Sequence, residues 1–217
     1  MQSSLKPTHA PQPGLDLVYC DASLIVANKP AGLLAVPGRG ADKQDCLSAR
    51  IQKDFPDALV VHRLDMATSG MIVFARGMEM QRLFSRMFRE RIVQKNYVAV
   101  VAGRIKPAAG EINLPLIADW PNRPRQKVDF DIGKPSLTRY LVLDYDDVTD
   151  ACRVELEPVT GRTHQLRVHM AAIGHPILGD VLYGGRKAER LMLHACSLNF
   201  LHPLSGSSLN LVCAPPF

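Results

Sequence analysis

The sequence lacks the cysteine and histidine patterns of disulfide-bonded and zinc-binding proteins. It has five cysteines and no CxxC pair. An odd number of scattered cysteines does not fit a complete disulfide framework, so we expect reduced thiols and a cytoplasmic protein. His164 and His169 are five residues apart and would point to different sides of a helix, which does not suit a shared zinc ion. We therefore expect no bound metal.

Long apolar runs are also missing. No stretch approaches the length of about 20 apolar residues that a membrane-spanning helix needs, so we expect no membrane partner. Residues 1–14 are polar and proline-rich, without the apolar core of a secretory signal peptide. We interpret this segment as a flexible N-terminal arm and expect a single domain over residues 15–217.

Basic residues are in modest excess. The chain of 217 residues has 26 Lys and Arg against 21 Asp and Glu, a net charge of +5, and its pI is about 9.0. This balance favours a polyanionic partner, but many basic proteins bind no particular anion, so the total charge alone decides little. Hydrophobic residues make up 47% and charged residues 22%, which is typical of a globular protein.

Short strand-like runs dominate the chain. Seven of them have the composition and bounds of β-strands, and they are residues 15–21, 23–29, 70–75, 96–103, 137–145, 152–158 and 208–213. Within the run 152–158, Val154 and Leu156 alternate with charged residues, as in an antiparallel sheet with one solvated face. No regular alternation of strands and helices is present. The pattern predicts an α+β fold with a mixed, mostly antiparallel β-sheet core and a few flanking helices.

Three segments have helical periodicity, over about residues 45–55, 78–91 and 163–174. The second has the apolar stripe of a helix packed on a sheet, formed by Met80, Leu83, Phe84, Met87 and Phe88. In the third, Thr163 is the predicted N-cap and Gly174 the residue after the C-cap. Its predicted buried face consists of Leu166, Met170 and Ile173.

The segment HRLDMATSGMIVFA, residues 62–75, contains the most informative polar residues. An apolar run ends in His62, Arg63 and Asp65, and a polar turn then leads into a strand. Functional groups often occupy such loops between strands. Spacing alone favours a simpler interpretation, in which Asp65 accepts hydrogen bonds from Thr68 and Ser69 and closes an Asx-type turn.

This segment resembles the HRLDxxTSG signature of the RluA family of pseudouridine synthases. Three further segments resemble motifs of that family in the same order. NKPAGLLAVPG (28–38) is similar to its lysine-proline motif, KNYVAVVAG (95–103) to the segment with its active-site tyrosine, and TGRTHQLRVHMAAIGHPILGD (160–180) to the segment with its active-site arginine. DWPNRPRQKV (119–128) resembles the RluA branch in particular.

The resemblance implies that the protein is an enzyme that isomerises uridine to pseudouridine in RNA and needs no cofactor. It implies that Asp65 is the catalytic nucleophile, attacking either the sugar or the base. It further implies that Tyr97 is an active-site residue that stacks on the target base, and that Arg167 pairs with Asp65. Without the resemblance, Tyr97 would be interpreted as an aromatic residue of the sheet and Arg167 as a solvated helix charge.

Two surfaces are candidates for RNA contact. The segment 119–128 has two prolines, which stiffen it, and its residues 122–127 are predicted to form a loop with three cations, Arg123, Arg125 and Lys127. A second row of cations, Arg82, Arg86 and Arg89, lies opposite the apolar stripe of the second helix, but such rows are more often solvated. We therefore favour the segment 119–128. In the signature motif we expect Arg63 to fill the gap that an extruded uridine leaves, and we include His62 and Thr68 among the RNA-binding residues.

The resemblance also indicates the substrates, which are hairpin loops of 23S rRNA, tRNA anticodon stem-loops, or both. The motifs begin near residue 28, so we expect no N-terminal accessory RNA-binding domain before the catalytic domain, and we expect a monomer. The alternative is a non-catalytic RNA-binding or RNA-folding protein on the same fold, which would not need Asp65, Tyr97 and Arg167. A kinase-like interpretation of His-Arg-Leu-Asp fails, because no Gly-rich phosphate loop precedes it and no Asp-Phe-Gly follows it.

Overall fold

The computed structural model describes residues 15–217. They form two compact units. The first contains the described residues up to Gln94 together with Ala195–Ala214, and the second contains Lys95–His194 and Pro215–Phe217. The expected arm over residues 1–14 lies outside the described residues, and the expectation of a single catalytic domain over 15–217 stays a prediction.

Within residues 15–217 the chain forms three α-helices, twelve β-strands and two 3-10 turns. The helices are α1 (Leu47–Asp54), α2 (Gly77–Arg89) and α3 (Gln165–Ala172). The strands are β1 (Leu17–Cys20), β2 (Leu24–Lys29), β3 (Ala58–Val60), β4 (Ser69–Arg76), β5 (Gln94–Ala102), β6 (Ala109–Asn113), β7 (Leu116–Ala118), β8 (Gln126–Val128), β9 (Leu137–Asp146), β10 (Ala151–Pro158), β11 (Leu193–Leu201) and β12 (Ser208–Val212). The 3-10 turns are Ala41–Lys43 and Trp120–Asn122. None of the helices in this part of the chain is long and apolar enough to cross a membrane.

The first unit is a sheet packed against α2. Its strands follow the order β1-β2-β4-β11-β12, and β3 also pairs with β4. β2 and β4 are antiparallel, with Val26 opposite Val73. The apolar stripe of α2 packs on β2, β4 and β11, and the buried cluster consists of Leu24, Val26, Met71, Val73, Ala75, Met80, Phe84, Met87, Val93, Leu198 and Phe200. The predicted stripe is thus confirmed, with Leu83 and Phe88 partly buried at its margin.

The second unit contains an antiparallel sheet with the order β5-β10-β9-β6 and a separate hairpin of β7 and β8. In β10, Val154 and Leu156 are buried and the charged residues between them are half-buried, as the alternation predicts. α3 contacts β8, β9 and β10. The prediction of an α+β fold with mostly antiparallel strands is confirmed.

The N-terminus of α3 differs from the prediction. The N-cap is His164 and not Thr163, and its backbone is left-handed with a φ of 54°. The side chain of Gln165 provides the local hydrogen bonds instead. Its Oε1 accepts from the Thr160 hydroxyl at 2.7 Å, and its Nε2 donates to the carbonyl oxygen of Leu137 at 2.9 Å. A cap residue in the left-handed conformation follows no simple sequence rule, which is why the prediction of Thr163 is wrong.

The burial of α3 is also more complete than an amphipathic pattern predicts. Every residue from Gln165 to Met170 is buried, including Arg167 and His169, whereas Ile173 is only half-buried. At the C-terminus, Gly174 has a φ of 86° and follows the C-cap, as predicted. Its N–H donates to the carbonyl oxygen of Ala171 at 3.0 Å. The His175 N–H donates to the carbonyl oxygen of Met170 at 2.9 Å, which completes the pair of hydrogen bonds typical of a Schellman motif.

Five strands lie outside the predicted runs, and they are β3, β6, β7, β8 and β11. β6 begins with Ala109 and Gly110, residue types of low strand propensity. β11 mixes polar and apolar residues without a clear period. β8 begins within the loop predicted over residues 122–127, so that prediction is wrong for Gln126 and Lys127. Pairing with β7 stabilises this strand, and a local pattern does not reveal such a partner.

A buried histidine anchors α3 to the second unit. His169 is fully buried, with its Nδ1 2.9 Å from Thr138 Oγ1 and its Nε2 3.0 Å from the carbonyl oxygen of Leu114. A carbonyl only accepts, so Nε2 carries the proton and Nδ1 accepts from the threonine hydroxyl. These contacts suit the neutral ring, and burial lowers the pKa of His169.

We predict that His169 makes the protein less stable in mild acid. In the unfolded chain this histidine takes up a proton near its usual pKa of about 6.5, whereas the folded state resists protonation. The free energy of unfolding is therefore unaffected above that pH and decreases as the pH falls below it, by at most about 1.4 kcal/mol per pH unit. Glutamine at this position keeps a donor and an acceptor but does not titrate. Urea denaturation at several pH values should show a shallower decrease for His169→Gln, which retains the other six of the seven histidines. Equal pH dependence in the two proteins would contradict this assignment.

A second prediction concerns Gly70, at the start of β4. Its φ is 111°, which L residues rarely adopt, and a Cβ there would collide with the backbone of Ala195 in β11. Gly77 is a matched control, because its φ is also positive, at 79°, but no atom lies within 4 Å of its ideal Cβ. We expect Gly77→Ala to cost only the roughly 1–2 kcal/mol of an unfavourable left-handed backbone. Gly70→Ala should cost clearly more in urea denaturation, and equal losses would show that β4 and β11 tolerate a methyl group.

Candidate active site

The loop between β3 and β4 presents Asp65. Leu64 is buried and Arg63 is exposed, and Asp65 between Leu64 and the turn is half-buried. The turn is closed by the backbone, since the Thr68 N–H donates to the carbonyl oxygen of Asp65 at 3.2 Å. This closing bond does not involve the carboxylate. The alternative interpretation, in which the carboxylate itself accepts from Thr68 and Ser69, stays a prediction.

A buried lysine fixes the backbone beside Asp65. Lys29, at the end of β2, is fully buried. Its Nζ donates to the carbonyl oxygens of Pro30 and Leu33, both at 2.8 Å, and to that of Met66 at 3.0 Å. The carbonyl oxygen of Met66 also accepts from the Gly32 N–H at 2.9 Å. An ammonium group has three donors, so these bonds compensate much of the cost of burying it.

Lys29 is a residue of the site that has no assigned role in the sequence-based prediction. The motif 28–38 contains it, and that motif was the signal from which it could have been found. Its hydrogen bond to Met66 tethers the residue that follows Asp65. Lys29 therefore positions the loop.

His62 contacts the scaffold of the first unit. Its Nε2 accepts from the Val73 N–H at 2.9 Å, so in the neutral ring the proton is on Nδ1. The ring stacks on Phe88 of α2, with 4.3 Å between the centroids. Thr68 has only 2% of its surface exposed. Arg63 is the exposed member of the motif, and the RNA-binding roles of Arg63, His62 and Thr68 stay predictions.

In the second unit, Arg167 forms a buried ion pair with Asp180. Its Nε lies 2.7 Å from Oδ2 and its Nη2 lies 2.8 Å from Oδ1, a bidentate geometry. Arg167 is 4% exposed and Asp180 1%. Oδ1 also accepts from the N–H groups of Leu182 and Tyr183, at 3.0 and 3.2 Å. The interpretation of Arg167 as a solvated helix charge is therefore wrong.

Asp180 was not among the predicted site residues, although it ends the quoted motif 160–180. Its contact uses two of the five N–H donors of the guanidinium. The expected pairing of Arg167 with Asp65 is compatible with that count and stays a prediction. Arg167 stays protonated at any physiological pH, so it offers a permanent positive charge that does not compete as an acid.

Tyr183 links the hairpin of β7 and β8 to this ion pair. Its hydroxyl accepts from the Gln126 N–H at 2.7 Å and lies 2.7 Å from Nδ1 of His164. Its ring centroid is 5.1 Å from the guanidinium carbon of Arg167 and 5.8 Å from that of Arg125. Tyr183 thus joins β8, the start of α3 and the buried arginine.

Tyr97 lies in β5, opposite Leu156 of β10, and is half-buried. This position fits an aromatic residue of the sheet and also a side chain that presents part of its ring to a ligand. Its role as the active-site tyrosine stays a prediction.

Both predicted cationic surfaces are exposed. Arg82, Arg86 and Arg89 lie on the outer face of α2. Arg123, Arg125 and Lys127 lie on the hairpin of β7 and β8, where the ammonium group of Lys127 is 3.0 Å from a carboxylate oxygen of Asp129. Exposure makes either surface accessible to a phosphate backbone, and RNA contact at both stays a prediction.

Known proteins resemble this chain over most of its length. A family model described as RNA pseudouridylate synthase matches residues 23–172. The dual-specificity RNA pseudouridine synthase RluA of Escherichia coli (strain K12) is 52% identical over 202 residues, which cover 91% of this chain and 92% of that protein. The dual-specificity RNA pseudouridine synthase RluA of Yersinia pestis is 49% identical over 205 residues, covering 93% of this chain and 99% of that protein.

Solved structures give the same result. Human RNA pseudouridylate synthase domain containing 1 has a TM-score of 0.78 and 30% identity, and covers 98% of this chain and 87% of its own. Human RNA pseudouridylate synthase domain containing 4 has a TM-score of 0.76 and 27% identity, and the match covers 93% of this chain and 88% of that chain. The motifs, the fold and these relatives agree, and the chain therefore belongs to the RNA pseudouridylate synthase family, an isomerase family.

Proposed function

We propose that this RNA pseudouridine synthase uses Asp65 as its nucleophile and acts on uridines in hairpin loops, both of 23S rRNA and of tRNA anticodon stem-loops. The observation that carries the proposal is the high identity, over nearly the whole chain, to relatives named as dual-specificity synthases. The half-buried position of Asp65, on a loop that Lys29 tethers, supports its assigned role.

The reaction itself needs little beyond a nucleophile and a rigid pocket. The bond from the ribose C1′ to N1 of uracil breaks, the base turns, and a bond from C1′ to C5 forms while the C5 proton leaves and N1 takes up a proton. No atom is gained or lost in total, so no oxidant, reductant or cofactor is required. Asp65 attacks as the carboxylate, on the sugar or on the base, and the resulting intermediate holds one fragment while the base rotates.

The assigned role of Arg167 follows from its charge and its fixed geometry. A guanidinium beside a carboxylate favours the ionised form, which is the nucleophilic one. Asp180 holds the guanidinium on one side in a bidentate contact, so the arginine does not need to lose side-chain entropy when substrate binds. Arg167 would thereby serve Asp65 as a preorganised cation.

The proposal of a hairpin substrate has an energetic reason. A uridine in a loop is already partly unstacked, so extruding it costs less than the few kcal/mol that a duplex base requires. Arg63 is exposed beside Asp65 and is proposed to fill the vacated position, while Tyr97 stacks on the extruded base. Arg123, Arg125 and Lys127 would contact phosphates, with the salt dependence of such contacts.

The rival function is RNA binding without catalysis. It requires a cationic surface but gives no reason to combine a nucleophile with an active-site tyrosine and arginine. The presence of Asp65, Tyr97 and Arg167 together therefore favours the enzyme. Turnover by the purified protein decides between the two functions.

We predict that Asp65→Asn and Asp65→Ala abolish turnover and leave RNA affinity within a few-fold of wild type. A nucleophile supplies chemistry, whereas binding energy comes mostly from backbone contacts. Release of tritium from RNA labelled at C5 of uridine measures turnover. Asp144→Asn is the matched control, because it makes the same chemical change at an exposed carboxylate and should keep full activity. Substantial turnover by Asp65→Ala would refute the assignment of the nucleophile.

We further predict that isolated stem-loops from the two RNA classes are converted at rates comparable to the full-length molecules. Recognition by loop shape and splayed bases needs only the contacts that a hairpin offers. Synthetic hairpins of each class are incubated with enzyme, and pseudouridine is located by chemical mapping. Conversion of only one class would reject dual specificity, and conversion only within intact ribosomal subunits would reject recognition of the hairpin itself.

A further inference from the structure

We propose that Trp120 and Arg123 form a stacking site for one unpaired nucleobase of the RNA substrate, a second base contact separate from the catalytic aspartate. The proposal rests on RNA being the substrate, as argued above. It assigns a specific chemical task to a tryptophan for which the sequence pattern gave none.

The pair combines an exposed aromatic ring with a cation that covers it. Trp120 begins the 3-10 turn at the tip of the hairpin of β7 and β8 and is 67% exposed. The guanidinium carbon of Arg123 lies 3.0 Å from the centroid of its ring, so the arginine covers one face of the indole. At that level of exposure, the opposite face of the ring is open to solvent.

The turn that carries the pair is held by its own hydrogen bonds. The side chain of Asn122 donates to a carboxylate oxygen of Asp119 at 2.9 Å. Asp119 N–H donates to the carbonyl oxygen of Arg125, and Arg125 N–H donates to that of Asn122, both at 3.0 Å. The indole is therefore presented by an ordered backbone, and a ligand that stacks on it causes little loss of backbone entropy.

The surroundings favour a nucleobase over other ligands. Arg123 and Arg125 are exposed next to the indole and attract the phosphates that flank a base. A flat aromatic ring with a cation on one face is the combination that single-stranded nucleic-acid sites use for stacking. A phosphate alone would gain nothing from the ring, and a protein partner would have to match a cationic surface with acidic residues.

The hairpin is also connected to the buried ion pair, which gives the stacking site a place in the reaction. The Gln126 N–H donates to the hydroxyl of Tyr183, and the ring of Tyr183 lies 5.1 Å from the guanidinium carbon of Arg167. A base held on Trp120 is thus held relative to α3. Stacking should therefore strengthen substrate binding. Its loss should raise KM, while kcat stays close to the wild-type value.

The chain offers a direct readout, because Trp120 is its only tryptophan. Wild-type protein is titrated with a stem-loop that it converts, and with the same stem-loop carrying abasic nucleotides throughout the loop. The intact RNA should quench the tryptophan fluorescence in parallel with binding measured by filter retention. The abasic RNA should still bind through its phosphates, about tenfold more weakly, without comparable quenching. Equal quenching by the two RNAs would overturn the proposal.

Substitution of the tryptophan provides the matched test. Trp120→Leu should weaken binding of the intact stem-loop and raise KM by about tenfold, with kcat nearly unchanged, and Trp120→Phe should recover part of the loss. Wild type and Trp120→Leu should bind the abasic RNA equally, because its loop has no base to stack. A loss of the same size for both RNAs, or an altered thermal midpoint, would show that Trp120 has a structural role instead.

These readouts separate the two proposals. Fluorescence and affinity do not depend on turnover, so they can succeed even if Asp65 proves not to be the nucleophile. A stem-loop that binds and is converted without quenching Trp120 would overturn only the stacking site. A protein that binds no stem-loop would overturn the stacking site and the hairpin substrate together.

Discussion

The buried pair of Arg167 and Asp180 is the constraint on which the geometry around α3 depends. Removing both charges from water costs several kcal/mol per ion, and only close bidentate contact with additional hydrogen bonds offsets that cost. Asp180 meets this requirement by accepting from the backbone of Leu182 and Tyr183 as well as from the arginine. The turn after Asp180 is therefore fixed against α3. Tyr183 then continues the connection to β8.

The first unit also contains a buried cation, Lys29. The ammonium group of Lys29 donates to three backbone carbonyl oxygens, one for each of its N–H donors. Carbonyl groups are part of the chain, and a cation that binds them therefore fixes backbone positions rather than side chains. This explains why Lys29 can tether Met66 and the loop of Asp65. Lysine suits this task because its three donors rotate freely, whereas the planar fork of Arg167 suits a carboxylate.

The sequence-based predictions are correct where an element depends on residues close together in the chain, and less so where it depends on distant segments. The stripe of α2 and the alternation of β10 arise from neighbours in the chain, and both predictions are confirmed. The prediction of Thr163 as the N-cap of α3 is wrong because the side chain of Gln165 forms hydrogen bonds to residues of β9 and to Thr160. The roles of Lys29 and Asp180 had no local signal either. A motif locates such residues, but only contacts between distant segments reveal what each side chain binds.

Among residues 15–217, buried and exposed cations differ in how strongly salt screens them. Arg167 is buried and engaged, so added salt screens it only weakly, whereas exposed arginines such as Arg86 and Arg125 are fully subject to screening. Buried cations such as Lys29 and Arg167 fix positions through short contacts, whereas exposed ones are accessible to a polyanion in solution. Raising the ionic strength should then weaken the long-range attraction of an anion by the exposed arginines while leaving the contact of Arg167 with Asp180 in place. The exposed cations can thus vary without disturbing the buried contacts of Lys29 and Arg167.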